Sequence, residues 1–168
     1  MRLAVLFGVM ALVALAFETT LPHLMLIPIL IPNVIVILAV DLGLRHRTAM
    51  AAVLAFAMGY ATDAFSGTHL GVNAFLVTLV FLLAYQVSRR LLVINAVVGA
   101  VAVFAGAMLM AVGGLALGSG FDSLGQAGPL MPALFLQALL TAIISPLVFA
   151  VLDICKRTIG LPVGAVRE

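Results

Sequence analysis

Side chains able to do acid–base, nucleophilic or metal chemistry are few: 6 acidic residues, 3 histidines and a single cysteine in 168 residues, with 8 lysines and arginines. Asp63 is the acidic residue set deepest in apolar sequence, within the stretch GYATDAFSGTHLGVNA from Gly59 to Ala74. A carboxylate at the centre of a membrane helix costs about 2.5–3.5 kcal/mol on insertion scales, so it is retained where something bonds it. Two roles fit Asp63. It can cap the following turn, accepting from the backbone donors of Ser66, Gly67 or Thr68, or it can anchor a partner or a bound ligand.

Catalysis needs convergent ionisable groups, and the sequence offers little to converge. No Gly-x-Ser-x-Gly elbow, His-Glu-x-x-His pair, glycine-rich phosphate loop or cysteine pair is present. Glu18, His23, Asp63 and His69 could meet only if the ends of four separate segments came together, and their spacing matches no metal motif. The expectation is therefore a chain without enzymatic activity, cofactor or metal, in which Cys155, beside Lys156 and Arg157, is an unreactive thiol at the membrane face. A second polar set, Gln137, Thr141 and Ser145, recurs at intervals of four and so shares one helix face. That face can bond to other helices, at about 0.6–2 kcal/mol per contact, or line a cavity.

The elements that must hold these residues follow from composition. With 65% hydrophobic residues, 8% charged and a mean hydropathy of +1.36, the chain falls far from soluble domains, where about 25% are charged. At about 20 residues per span, residues 1–168 form a single transmembrane domain: an all-α bundle with spans at 3–21, 24–44, 48–65, 70–87, 91–117 and 130–152. The first segment imitates a signal peptide, with Arg2, an apolar run and Ala14-Leu15-Ala16. The topology of the later spans requires it to stay, ending at Glu18 to Thr20 with Pro22 and His23 beyond it. The second span carries Pro28 and Pro32, each lacking a backbone donor, and is expected to be broken: irregular over 24–31, helical over 33–44. Irregular backbone at membrane depth must be covered by protein or water, which puts Pro32 and Asn33 in the bundle or at its outer edge, away from lipid. Asp41 should pair with Arg45, four residues on.

Small residues mark where helices approach closely in lipid. Ala51, Ala55, Gly59, Asp63 and Gly67 form one stripe at intervals of four, and Gly106, Gly114 and Gly118 a second face on the fifth span. Residues 118–128 read as a polar, glycine-rich loop, and Ser145-Pro146 should kink the sixth span. Arg2, Arg45, Arg47, Arg89, Arg90, Lys156, Arg157 and Arg167 all fall on one side, against Glu18, His23, Asp63, His69 and Asp122 on the other. The positive-inside rule makes the first side cytoplasmic, with both termini there. This accounts for the net charge of +2 without a nucleic-acid partner.

Pro32-Asn33 before an apolar helix, then Arg45-His46-Arg47, then Gly59-x-x-x-Asp63-x-x-Ser66-Gly67-x-x-Leu70-Gly71-Val72-Asn73-Ala74 and a helix ending in basic residues, resembles the MreD family of bacterial rod shape-determining membrane proteins. Many relatives carry an acidic residue where this chain has Asn33. The resemblance implies a scaffold of the cell-elongation complex in the inner membrane, supporting peptidoglycan synthesis and cell shape. Its implied partners are the transmembrane helix and adjacent periplasmic segment of MreC, with MreB, RodA and the penicillin-binding transpeptidase nearby. Gly59, Asp63, Gly67, Gly71, Gly106 and Gly114 are the expected partner-binding positions. The resemblance also implies a fold similar to the substrate-binding subunits of ECF vitamin transporters. A transport subunit is thus the competing reading, with a small hydrophilic molecule in an outward-facing cavity lined by Asn73, Gln137 and Thr141.

Overall fold

A computed structural model describes residues 2–24, 32–46, 48–66, 71–90, 95–118 and 128–158. Within them lie six α-helices and no strand: α1 (Arg2–Leu24), α2 (Val34–Arg45), α3 (Ala49–Ser66), α4 (Val72–Arg90), α5 (Ala96–Gly118) and α6 (Met131–Thr158). A 3-10 turn, Gly128–Leu130, leads into α6. The helical stretches Ala49–Ser66, Val72–Arg90, Val97–Leu117 and Gly128–Thr158 are each long and apolar enough to cross a membrane.

The centre is α2. Every residue from Ile35 to Leu44 is buried, which is what a helix apolar on all sides requires. It packs against all five of the others. Its 12 residues span only about 18 Å at 1.5 Å per residue, against about 30 Å of hydrocarbon. Pro32 and Asn33 precede it as non-helical backbone, while Pro28 and the rest of the expected irregular stretch, 25–31, lie outside the described residues. The outward faces carry large apolar side chains such as Val53, Phe56 and Tyr60 on α3 and Ile143, Leu147 and Ile154 on α6. Hydrocarbon outside and around a buried helix with polar ends is the pattern of a bundle in lipid.

Two boundaries depart from the sequence reading. Helix α1 continues through Pro22 and His23 to Leu24, because Glu18 turns inward to bond α2 and so does not mark a solvated end. Helix α6 runs on to Thr158, with Pro146 inside it, because Lys156 is buried and paired.

Glycine sets the closest approaches. A Cβ on Gly59 would lie 2.6 Å from Ala74 Cα and Asn73 O, and one on Gly43 2.6 Å from Phe81 O. Both contacts are with backbone, so α4 is clamped between α3 and α2. At Gly99 the obstacle is the Phe149 ring, 2.8 Å away, which can turn. Gly43→Ala and Gly59→Ala should therefore each cost about 1–3 kcal/mol as overpacking does, and Gly99→Ala clearly less. Thermal unfolding of the three variants in detergent measures the difference.

Candidate functional site

Polar groups gather at the two ends of α2. At its N-terminus the first amides of a helix have no partner in their own helix, and here neighbours supply the acceptors. Val34 N donates to Glu18 Oε1 on α1 at 2.7 Å, Val36 N to the Asn33 side chain at 3.1 Å, and Asn33 N to Thr141 Oγ1 on α6 at 3.2 Å. Thr141 in turn donates to Gln137 O at 2.8 Å. A carboxyl group at this end also faces the positive pole of the helix dipole.

The start of α4 is treated the same way. Asp63, only 1% exposed, accepts at Oδ2 from Gly71 N (2.9 Å) and Ala74 N (3.0 Å), and at Oδ1 from Asn73 N (3.1 Å). The sequence pointed to a cap of the Ser66–Thr68 turn. Gly67 and Thr68 of that turn lie outside the described residues, and the donors described here belong to the start of α4, which Gly59 brings against α3. Gly71 has a φ of +99°, a left-handed conformation that costs glycine little and aims its amide back at Asp63.

At the other end of α2, Leu44 O accepts from Ser88 Oγ on α4 at 2.9 Å and Leu42 O from His46 N at 2.9 Å. Beside them Asp41, fully buried, meets Lys156 Nζ on α6, itself 1% exposed. Arg45 Nε lies 3.0 Å from Asp41 Oδ1 as an ion pair without hydrogen-bond alignment, and Arg45 Nη1 donates to Asp153. The expected Asp41–Arg45 pair is thus half of a neutral four-membered network. Lys156 Nζ also stands 5.3 Å from the Phe7 ring centroid, a cation–π contact. His46 is buried against Phe7, ring to ring at 6.0 Å. Burial first, and the Lys156 charge next, hold its imidazole below the ordinary 6.5, so it stays neutral beside the network at neutral pH.

The polar face of α6 divides its labour. Thr141 bonds across to α2 as expected, but Ser145, read as interhelical, donates to Ala142 O of its own helix at 2.8 Å. Ala142 O is the carbonyl that Pro146, having no N–H, leaves without a partner, so the hydroxyl replaces the missing donor. The same face continues through Phe149, Leu152 and Lys156, with Asp153 beside it. Those last charged residues were missed as site residues, although the spacing of 137, 141, 145, 149, 152 and 156 carries the signal.

Asn33, Asn73, Gln137 and Thr141 come together around a cavity of about 130 Å³ between α2, α4, α5 and α6. Of the expected partner-binding positions, Gly59 and Asp63 are buried against α4, and Gly106 faces Val80 and Val36, whose Cγ1 atoms would stand 2.9 and 3.2 Å from a Cβ. This seam is already filled by the chain's own helices. Gly114 is open, with nothing within 4 Å of an added Cβ. Ala74 is buried and Ser66 exposed, while Gly67, Leu70 and His69 lie outside the described residues. Among the described residues no group of three or more His, Cys, Asp or Glu could hold a metal ion.

A bundle of long apolar helices around a buried short one, with its polar groups spent on helix ends, defines a multi-pass membrane protein. The family model described as rod shape-determining protein MreD matches residues 1–155, and the chain belongs to that family. No curated protein and no solved structure matches it.

Removing one member of a buried ion pair strands the other, at a cost of about 3–5 kcal/mol. Lys156→Met alone should destabilise the purified protein by that order, whereas Asp41→Asn with Lys156→Met, which removes both charges, should recover most of the loss. Unfolding midpoints of the single and double variants decide it.

Proposed function

We propose that the chain is a non-enzymatic scaffold of the cell-elongation complex in the bacterial inner membrane, with both termini cytoplasmic. It seats the transmembrane helix and adjacent periplasmic segment of MreC, and through it supports peptidoglycan synthesis by RodA and its penicillin-binding transpeptidase near MreB. The observation that carries this reading is membership of the MreD family over residues 1–155. The use of Glu18, Asp63, Asp41 and Lys156 as structural ties supports it. The orientation rests on the basic residues at the Arg45, Arg89 and Lys156 end.

With Gly59 occupied by α4, the places left for a partner helix are small residues that face outward. Gly114 on α5 is one. Another is the apolar groove of about 120 Å³ between α1 and α3, where Gly8, Ala11, Ala57 and Ala61 lie together. A Cβ added at Gly8 or Gly114 meets nothing within 4 Å, so Gly8→Leu and Gly114→Leu should leave the fold intact while at least one of them weakens co-purification with MreC and rounds the cells. Undiminished association and rod shape in both would sink the proposal.

A transport subunit is the second reading, favoured by the meeting of Asn73, Gln137 and Thr141 on one cavity. At about 130 Å³ that cavity is well below the roughly 300–1,000 Å³ of drug-sized ligand sites, and suits a few waters better than a vitamin. This reading requires a ligand that raises the melting temperature of the purified protein; a broad vitamin screen without a shift would remove it.

A further inference from the structure

The buried charge network has one open side. Asp41 and Lys156 are sealed, at 0% and 1% exposure, but the Arg45 and Asp153 side chains are 21% and 27% exposed. They face a cavity of about 220 Å³ between α2, α5 and α6, whose remaining walls include Leu44, Gly99, Pro146, Phe149 and Ala150. Asn95, exposed just before α5, stands at its rim. Arg45 spends Nε and Nη1 on Asp41 and Asp153, so that Nη2 and one Asp153 oxygen meet no partner among the described residues. The guanidinium is held in place by the Phe149 ring, 5.7 Å from its carbon to the centroid.

Asp41 also lines the cavity, but its charge is already met by Lys156 and Arg45, so Arg45 and Asp153 are the open charges among walls that are otherwise mostly hydrocarbon; such a slot selects an amphiphile. Its exposed Ala150 belongs to the same outward surface of α6 as Leu147, Val151 and Ile154, so the mouth opens toward acyl chains. It lies at the end of the bundle carrying Arg89, Arg90 and Arg157, where headgroups are found. Its volume is too small for a drug-sized molecule but takes a headgroup whose chains remain in the bilayer. We propose that this slot seats a zwitterionic phospholipid with a primary ammonium, its phosphate on Arg45 Nη2 and its ammonium on Asp153. An anionic lipid without the ammonium would leave its charge facing Asp153. This inference is independent of the partner assigned above.

The test uses the full chain in detergent and native mass spectrometry. Phosphatidylethanolamine, phosphatidylglycerol of the same acyl chains and water-soluble phosphoethanolamine are added in turn. Phosphatidylethanolamine should be retained about fivefold more than phosphatidylglycerol, the scale of one partly exposed charge contact, and free phosphoethanolamine should not be retained. Asp153→Asn should abolish the preference between the two lipids. Ala150→Phe, a change on the lipid-facing surface, should block the mouth and lower retention of phosphatidylethanolamine. Equal retention of the two lipids by the unaltered protein would overturn the proposal without recourse to any variant. Retention of free phosphoethanolamine to the same extent, or undiminished lipid binding in Ala150→Phe, would overturn it as well.

Discussion

The structure depends on one constraint: a helix of 12 residues is enclosed by the others and too short to cross the hydrocarbon alone, and both of its ends must be satisfied by neighbours. Leaving a buried backbone donor or acceptor without a partner costs about 1–3 kcal/mol per group, and more where no water can reach. Glu18, Asn33 and Thr141 answer for the start of α2, and Ser88 and the His46 amide for its end. Each of these bonds fixes the depth and rotation of the helix that supplies it. The positions of α1, α4 and α6 around α2 are therefore set as much by hydrogen bonds as by packing.

The same logic recurs wherever the backbone is interrupted. Asp63 does for α4 what Glu18 does for α2, a carboxyl group on one helix receiving the amides of the next. Ser145 does it on the scale of a single carbonyl, next to Pro146. Close packing makes these short-range devices possible. Gly59 lets the first turn of α4 come within reach of Asp63, and Gly43 lets α4 lie against α2, so that Ser88 meets Leu44. Glycine and carboxylate in the 59–74 stretch act as one unit: the first sets the distance and the second uses it.

The outline was legible in the sequence because lipid imposes simple rules. Apolar runs of sufficient length gave the helices, interval-four small residues gave α3's packing stripe, and Asp41 and Arg45 gave their own pair. The common cavity of Asn73, Gln137 and Thr141 was also foreseen. Direction was harder to read. Nothing in the spacing of Gly59 says whether its close neighbour is the chain's own α4 or another protein. Ser145 sits in register with Thr141, yet bonds its own helix, because the proline's vacancy is nearer than any other acceptor. Glu18 and Lys156 looked like terminal polar residues, since they stand near the ends of apolar runs. Their partners, Val34 and Asp41, are 16 and 115 residues away, and no local pattern encodes a contact of that separation. The backbone over 25–31, where Pro28 falls, lies outside the described residues.

The separation between α2 and α6 has a consequence for biosynthesis. Thr141 and Lys156 reach Asn33 and Asp41 across 108 and 115 residues, so the ribosome delivers α2 long before the helix that completes it. Throughout that interval Asp41 and the Asn33 amide wait for their partners on α6, in a helix too short to cross the bilayer alone. Helices α1 to α5 can gather, but the polar ties of α2 are complete only once α6 has joined them. A chain truncated before α6 would keep the Asn33 amide and one side of Asp41 unmet at its centre, so the stability of the early helices is conditional on a segment synthesised much later.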